Sequence, residues 1–382
     1  MRLLALLCAA ASAAGCCEFS GPRWHGRVTD HFDGAKFHNQ VPGVAPGALT
    51  VARWQLERHP RAWPAFSAAA AARPAQREPG LRVTLVNHAT VLIQIAGVNV
   101  LTDPIWGEIA GPVPFLGRKR HRPPGVRIED LPPIDVVLIS HDHYDHLEIA
   151  ALQRIVALHH PRIVAGLGMA KLLATYGIHR ATDLDWWKWT SVGSVQIWGL
   201  PARHGCRRGA CDDDARLWLS FLLRTSGGDV YFAGDTGYGP HFQQIADRFG
   251  PPRLALLPIG PGAPRELFGA VHLDAREAVR VARVLGAADS LPIHFGTFAQ
   301  GDEGDGEAER TLREALSQPG SPRFTVLQNG ESWGAAAAGA QPAPGAQPAP
   351  GAQPAPGAQP ASGAQPAPGA PPATSSPAGG GS

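Results

Sequence analysis

His141, His143, Asp145 and His146 form an H-x-H-x-D-H signature in the stretch 136–147. Four side chains able to bind a metal fall within six residues, directly after an apolar, β-branched run that reads as a buried strand. In the turn that follows such a strand, alternate side chains converge on one point. Imidazoles and carboxylates together suit zinc or a similar divalent ion. The bland alternative is a solvated polar turn, and the matching histidines and carboxylates downstream weigh against it.

The strand that must carry the motif is 136–140. Before it, runs at 81–86, 90–95 and 98–102 read as strands, the last two joined across the Ala96-Gly97 turn. Helical spacing runs from 147 to 159, and 274–285 reads as a helix with Asp274 as N-cap. Further strands are expected at 162–165, 195–198, 218–223, 229–233, 254–257, 291–294 and 324–327. Strands interleaved with a few helices predict an α/β fold of two sheets with helices outside. The hydrolase domain is expected at 81–333. Residues 16–80 carry few strand signals and are expected to form an extension packed on that domain.

The chain has 382 residues, 44% of them hydrophobic, which suffices for a sizeable core. A formal charge of +2 gives no global field pointing to nucleic acid. Residues 1–15 combine a basic start, an apolar stretch and small residues before Cys16, which reads as an export signal. Gly15-Cys16 also resembles the lipobox of bacterial lipoproteins. Lipidation of Cys16 would tie the protein to a membrane, in a bacterial cell envelope as a periplasmic or anchored protein; the alternative is a cytoplasmic chain. Cys206 and Cys211 are expected to pair in an oxidising envelope. The competing readings are a thiol made acidic by Arg207 and Arg208, or a separate metal site with His204 that lacks a fourth ligand. From Gly339 the hexapeptide Gly-Ala-Gln-Pro-Ala-Pro occurs five times, once ending in Ser362. Such a stretch buries no core, so 334–382 is expected to be a disordered, Pro-rich tail.

The chain resembles metallo-β-lactamase-fold hydrolases, and within them the N-acylphosphatidylethanolamine-hydrolysing phospholipase D branch and its bacterial relatives. The pieces that carry this are Asn87-His-Ala-Thr-Val-Leu92, Leu101-Thr-Asp-Pro-Ile105, Arg122-Pro-Pro-Gly125 and Ile139-Ser-His-Asp-His-Tyr-Asp-His146. Pro201-Ala-Arg-His204, Gly234-Asp-Thr-Gly237, Val271-His-Leu-Asp274 and Ile293-His-Phe-Gly-Thr-Phe298 continue it. The resemblance implies an αββα sandwich and two divalent ions, zinc by preference. It puts His141, His143 and His204 on the first ion, Asp145, His146 and His294 on the second, and Asp235 between both.

Such a ligand set implies a hydrolase in which a bridging water is acidified to near neutral pH and an anionic phosphoryl group is clamped. Asp145 would also orient the water. His272 would donate to a phosphoryl oxygen or protonate the leaving group, against the alternative of a contact at a helix start. Asp235 stands where true β-lactamases of this fold commonly carry cysteine, which weighs against antibiotic hydrolysis. The leading expectation is a phosphodiesterase acting on a phospholipid such as an N-acylphosphatidylethanolamine. The alternatives are a lactonase or other hydrolase of a small anionic metabolite, and a non-catalytic envelope protein stabilised by metal. Asp103 is read either as support for a ligand histidine or as part of the Thr102-Asp103-Pro104 turn. His88 is read either as lining the cleft or, as is commoner for a lone loop histidine, as structural. The basic run 118–122 is read as a solvated loop or a site for phosphate headgroups. Trp186, Trp187 and Trp189 are read either as an interfacial or substrate-packing surface or, the commoner case, as placing at least one ring in the core.

Overall fold

The computed structural model describes residues 17, 19–43, 48–58, 61, 63–64, 72–113 and 115–334. In chain order the strands are β1 (Leu81–Asn87), β2 (Thr90–Ile95), β3 (Val98–Thr102), β4 (Ile109–Val113), β5 (Leu116–Lys119), β6 (Val136–Ile139), β7 (Arg162–Gly166) and β8 (Ala181–Leu184). After these come β9 (Lys188–Val192), β10 (Val195–Leu200), β11 (Ser220–Arg224), β12 (Val230–Phe232), β13 (Leu254–Pro258), β14 (Asp289–Ile293) and β15 (Ser332–Gly334). The helices are α1 (Ala48–Glu57), α2 (Ile149–His159), α3 (Met169–Ala174), α4 (His241–Phe249), α5 (Arg265–Phe268), α6 (Ala275–Leu285) and α7 (Glu307–Leu316).

Two sheets form, in the orders β15-β1-β2-β3-β6-β7-β8 and β14-β13-β12-β11-β10-β9. Each is antiparallel at one end and parallel at the other. In the first, β3, β6, β7 and β8 run parallel. In the second, β12, β13 and β14 do. Parallel neighbours need crossovers; α2, α3, α4 and α6 supply four of them, and β3 reaches β6 through the hairpin β4–β5 and a turn at 128–130. One apolar cluster, with Val83, Ile93, Val136, Phe221 and Leu256, lies between the sheets. A second joins Val137 and Ile139 to Leu152 and Ile155 of α2. A third joins Tyr231 and Leu257 to Phe242 of α4 and Val279 of α6. The layering is therefore helix, sheet, sheet, helix. β6 and β13 are covered on both faces, which is why they read as unbroken apolar runs.

Asp274 caps α6 with a full capping box: its side chain accepts from Glu277 N, and Glu277 accepts from Asp274 N. The residues expected as a strand at 324–327 make only an isolated bridge, Ser290 to Phe324. The last strand is instead β15, which adds to the edge of β1. The hairpin β4–β5 and the strands β8 and β9 had no clear sequence signal.

The N-terminal segment inserts Phe32 and Phe37 into the core between the sheets. Its backbone bonds to the loop 205–215, with Trp24 N donating to Ala215 O and Phe37 N to Asp214 O. The expected Cys206–Cys211 pair does not form. Cys17 is bonded to Cys211, and Cys206 is a buried free thiol. The loop closes on itself through Asp214 N and Cys206 O. This turns the Cys206 side chain inward, away from Cys211, whose backbone N takes the Ser20 hydroxyl as acceptor. Residues 1–16 and 335–382, and with them the export signal, Cys16 and the repeat tail, lie outside the described residues. Among the described residues no helix is long and apolar enough to cross a membrane.

Candidate metal centre

The motif turn leaves the C-terminal end of β6. His204 follows β10, Asp235 follows β12 and His294 follows β14. These strand ends share one rim of the sandwich, so residues far apart in the chain meet there. Gly234 makes this possible locally. It sits at φ +57, and a Cβ on it would fall 2.7 Å from Ser140 Cβ. The loop that carries Asp235 thus passes directly against the start of the motif turn.

All seven expected ligands come together. Asp235 Oδ2 lies 3.0 Å from His146 Nε2, 3.0 Å from His294 Nε2, 3.8 Å from His204 Nε2 and 4.0 Å from His141 Nε2. His143 Nδ1 is 2.9 Å from His141 Nε2 and 3.1 Å from His204 Nε2. Asp145 Oδ2 is 3.4 Å from His294 Nε2 and 3.7 Å from His146 Nε2. Two groups result, His141/His143/His204 and Asp145/His146/His294, with Asp235 facing both. His272 joins from the side, its Nδ1 3.7 Å from Asp235 Oδ2.

The fit to a cation rests on which atoms lack partners. His146 Nε2, His294 Nε2, Asp235 Oδ1 and His272 Nδ1 are buried and make no hydrogen bond. In folded proteins most buried polar atoms have a partner, and four without one converge here. On four of the rings the opposite nitrogen is held: His141 Nδ1 by Ser140 Oγ at 2.9 Å, His146 Nδ1 by Asp103 Oδ2 at 2.7 Å, His204 Nδ1 by Val271 O at 2.9 Å and His294 Nδ1 by Gly260 O at 2.8 Å. A ring fixed in this way presents a lone pair on Nε2, which is how metal-binding histidines are prepared. The residues present fit divalent cations.

Electrostatics agree. Burial, reinforced by neighbouring rings, pushes His141 well below its ordinary pKa and holds His204 down to about 3 despite Asp235. On His146 and His294 burial acts in the same direction, but Asp235 and Asp145 outweigh it and raise both, His294 to about 9. The two carboxylates thus favour positive charge at this point, the place a cation takes in exchange for protons.

Asp103 resolves in favour of ligand support. Its carboxylate accepts from Ser140 N at 2.7 Å and Ser140 Oγ at 2.6 Å as well as facing His146. Asp103→Asn keeps the shape but loses that acceptor. Metal affinity, read by chelator competition, is expected to fall about 10- to 100-fold with little change in unfolding temperature.

His88 resolves in favour of the site. Its Nε2 lies 3.2 Å from Asp145 Oδ2, and its ring centroid is 3.9 Å from that of His294. Gln300, which no motif marked, donates to the same Asp145 oxygen at 2.5 Å. Behind the motif turn, Arg208 donates to Asp142 O and Leu147 O and covers the Tyr144 ring at 3.8 Å. Arg216 binds both Asp142 and Asp212. Gln300 and Arg216 had no signal in the sequence, because a partner's identity depends on loops that meet only in the fold. A cleft of about 680 Å³ opens beside His143 and Asp145, walled by Pro112, Tyr144, Arg207 and Asp214. Among the tryptophans, Trp186 is buried and Trp189 is half exposed.

Known proteins match this picture. A profile of the beta-lactamase superfamily domain matches residues 98–295. The chain is 36% identical over 275 residues to N-acyl-phosphatidylethanolamine-hydrolyzing phospholipase D 1 of Caenorhabditis elegans, covering 68% of this chain and 77% of the worm protein. To the mitochondrial N-acyl-phosphatidylethanolamine-hydrolyzing phospholipase D of Saccharomyces cerevisiae it is 33% identical over 214 residues, which spans 54% of this chain and 46% of the yeast protein. A solved metallo hydrolase of the archaeon Ignicoccus hospitalis shares the fold, with a TM-score of 0.51 at 22% identity over 66% of this chain and 97% of that one. Sequence profile, curated relative and shared fold agree: the chain belongs to the metallo-β-lactamase superfamily and is a metal-dependent hydrolase.

Proposed function

We propose that the protein is a binuclear phosphodiesterase of phospholipase D type, acting on lipids like N-acylphosphatidylethanolamine. The observation that carries the reading is Asp235, whose carboxylate faces two separate groups of ligand-competent side chains. His141, His143 and His204 would hold one cation, Asp145, His146 and His294 the other, with Asp235 shared. When bound, the pair supplies an acidified water and positive charge toward a phosphoryl group.

The chain's own groups do the rest. His88 and Gln300 pin one oxygen of Asp145 and so fix how that carboxylate faces the reaction. Burial, with His204 and His294 nearby, outweighs Asp235 and holds His272 well below its ordinary pKa. A neutral ring next to Asp235 acts as a hydrogen-bond donor to a phosphoryl oxygen rather than as a standing charge. The net reaction gives the hydroxyl of water to phosphorus and its proton to the leaving alcohol. The worm and yeast relatives, each named for this lipid hydrolysis, support the substrate class.

A second reading has its own support. The cleft carries charged groups, among them Arg207, Asp213 and Asp214, which also suits a small anionic metabolite. The test is turnover of N-acylphosphatidylethanolamine in mixed micelles by zinc- or manganese-loaded protein, set beside a panel of small lactones. Release of phosphatidic acid and N-acylethanolamine supports the lipid reading. Lactone turnover without either product would replace it by the second.

A further inference from the structure

The hairpin β4–β5 pairs with neither main sheet. Its base is anchored, since Ala110 packs with Ile105, Phe298 and Tyr144. Its first strand touches the site, since Pro112 lines the cleft with His143 and Asp145. Its turn carries Phe115, 83% exposed and three residues along the chain from Pro112.

Strand alternation divides the basic run on the second arm. Arg120 turns inward to Asn87 and to the carbonyls of Ile105 and Gly107, whereas Lys119 faces solvent. Across the cleft Arg207 is also exposed, on the loop that Cys211 and Cys17 tie to the N-terminal segment. The cleft between them carries His143, Asp145, Arg207 and Asp214 and suits a headgroup, whereas acyl chains need an apolar medium outside it.

We propose that this rim docks on a bilayer containing anionic phospholipid. Phe115 enters the acyl boundary, Lys119 and Arg207 lie over the headgroups, and one headgroup reaches the cleft while its chains stay in the membrane. An aromatic residue flanked by cations is the composition that binds such interfaces. The inference rests on the lipid reading above, but docking is measured without catalysis.

The experiment is co-sedimentation of the full chain, carrying Cys16→Ser so that no acyl group contributes. The vesicles are phosphatidylcholine, alone or mixed with phosphatidylglycerol. Phe115→Ser is expected to lower partition about tenfold on the mixed vesicles, a loss typical of one buried phenyl group. Phe115→Trp restores it. Lys119→Ser weakens binding only where phosphatidylglycerol is present. All three keep wild-type turnover of soluble bis(p-nitrophenyl) phosphate. Equal partition of Phe115→Ser and wild type, or no binding of the wild type to mixed vesicles, overturns the proposal. A protein that partitions as expected but hydrolyses no phosphodiester would leave docking standing and remove the phosphodiesterase reading.

Discussion

Asp235→Asn is expected to reduce turnover of bis(p-nitrophenyl) phosphate by more than about 100-fold, beyond the 10- to 100-fold range of losses among supporting residues. The reason is position. Asp235 Oδ2 lies within 4.0 Å of His141, His146, His204, His272 and His294. An amide keeps the volume but removes the charge that balances two cations. It also turns an NH₂ or a weaker acceptor toward His146 and His294. Elemental analysis of the purified variant should give fewer than two metals per chain. Full metal content with wild-type turnover would remove Asp235 from the centre. Full metal content with lost turnover would keep the site and place the defect in how water is held.

Much of this site was legible because its signals are local. The motif turn comes after a strand with four apolar β-branched or aliphatic residues, and both features lie in one short stretch. His204, Asp235 and His294 each close a recognisable strand and were reached through resemblance to a family. Where partners are distant, the sequence is silent. Nothing near Gln300 indicates that its amide reaches Asp145, 155 positions away. His88 looked like an ordinary loop histidine because its environment is made by His294 and Asp145. The disulfide was misplaced for a related reason: Cys206 and Cys211 are close in sequence, yet the Asp214-to-Cys206 backbone bond points one thiol inward. The strand expected at 324–327 shrinks to a single bridge beside β14, Ser290 to Phe324, while the first sheet is completed at the β1 edge by 332–334.

The second large effect concerns stability. Arg216 is fully buried, and so are its partners Asp142 and Asp212. Its Nε donates to Asp142 Oδ2 at 2.5 Å, Nη2 to Asp212 and Nη1 to Pro22 O at 2.8 Å. Three segments meet on one guanidinium: the motif turn, the loop 205–215 and the N-terminal segment. Arg216→Met keeps much of the volume but strands two carboxylates in the interior. Breaking a buried pair in this way costs about 3–5 kcal/mol, a large share of a domain's margin. Urea unfolding at neutral pH should show it as a lower midpoint. The sign of its pH dependence is set by Asp212. Burial would raise that carboxyl, but Gly209 N, Gly21 N and Arg216 together hold it below its ordinary pKa. Its stabilisation is therefore present above the unfolded value, near 3.9, and is lost as pH falls through the folded value. In the variant the stranded acid accepts a proton more readily. The gap between wild type and Arg216→Met should be widest near pH 7 and shrink toward acid. Adding Asp142→Asn should recover part of the loss by removing one uncompensated charge. A double variant no more stable than the single one would mean that Arg216 acts through the Pro22 carbonyl and packing instead.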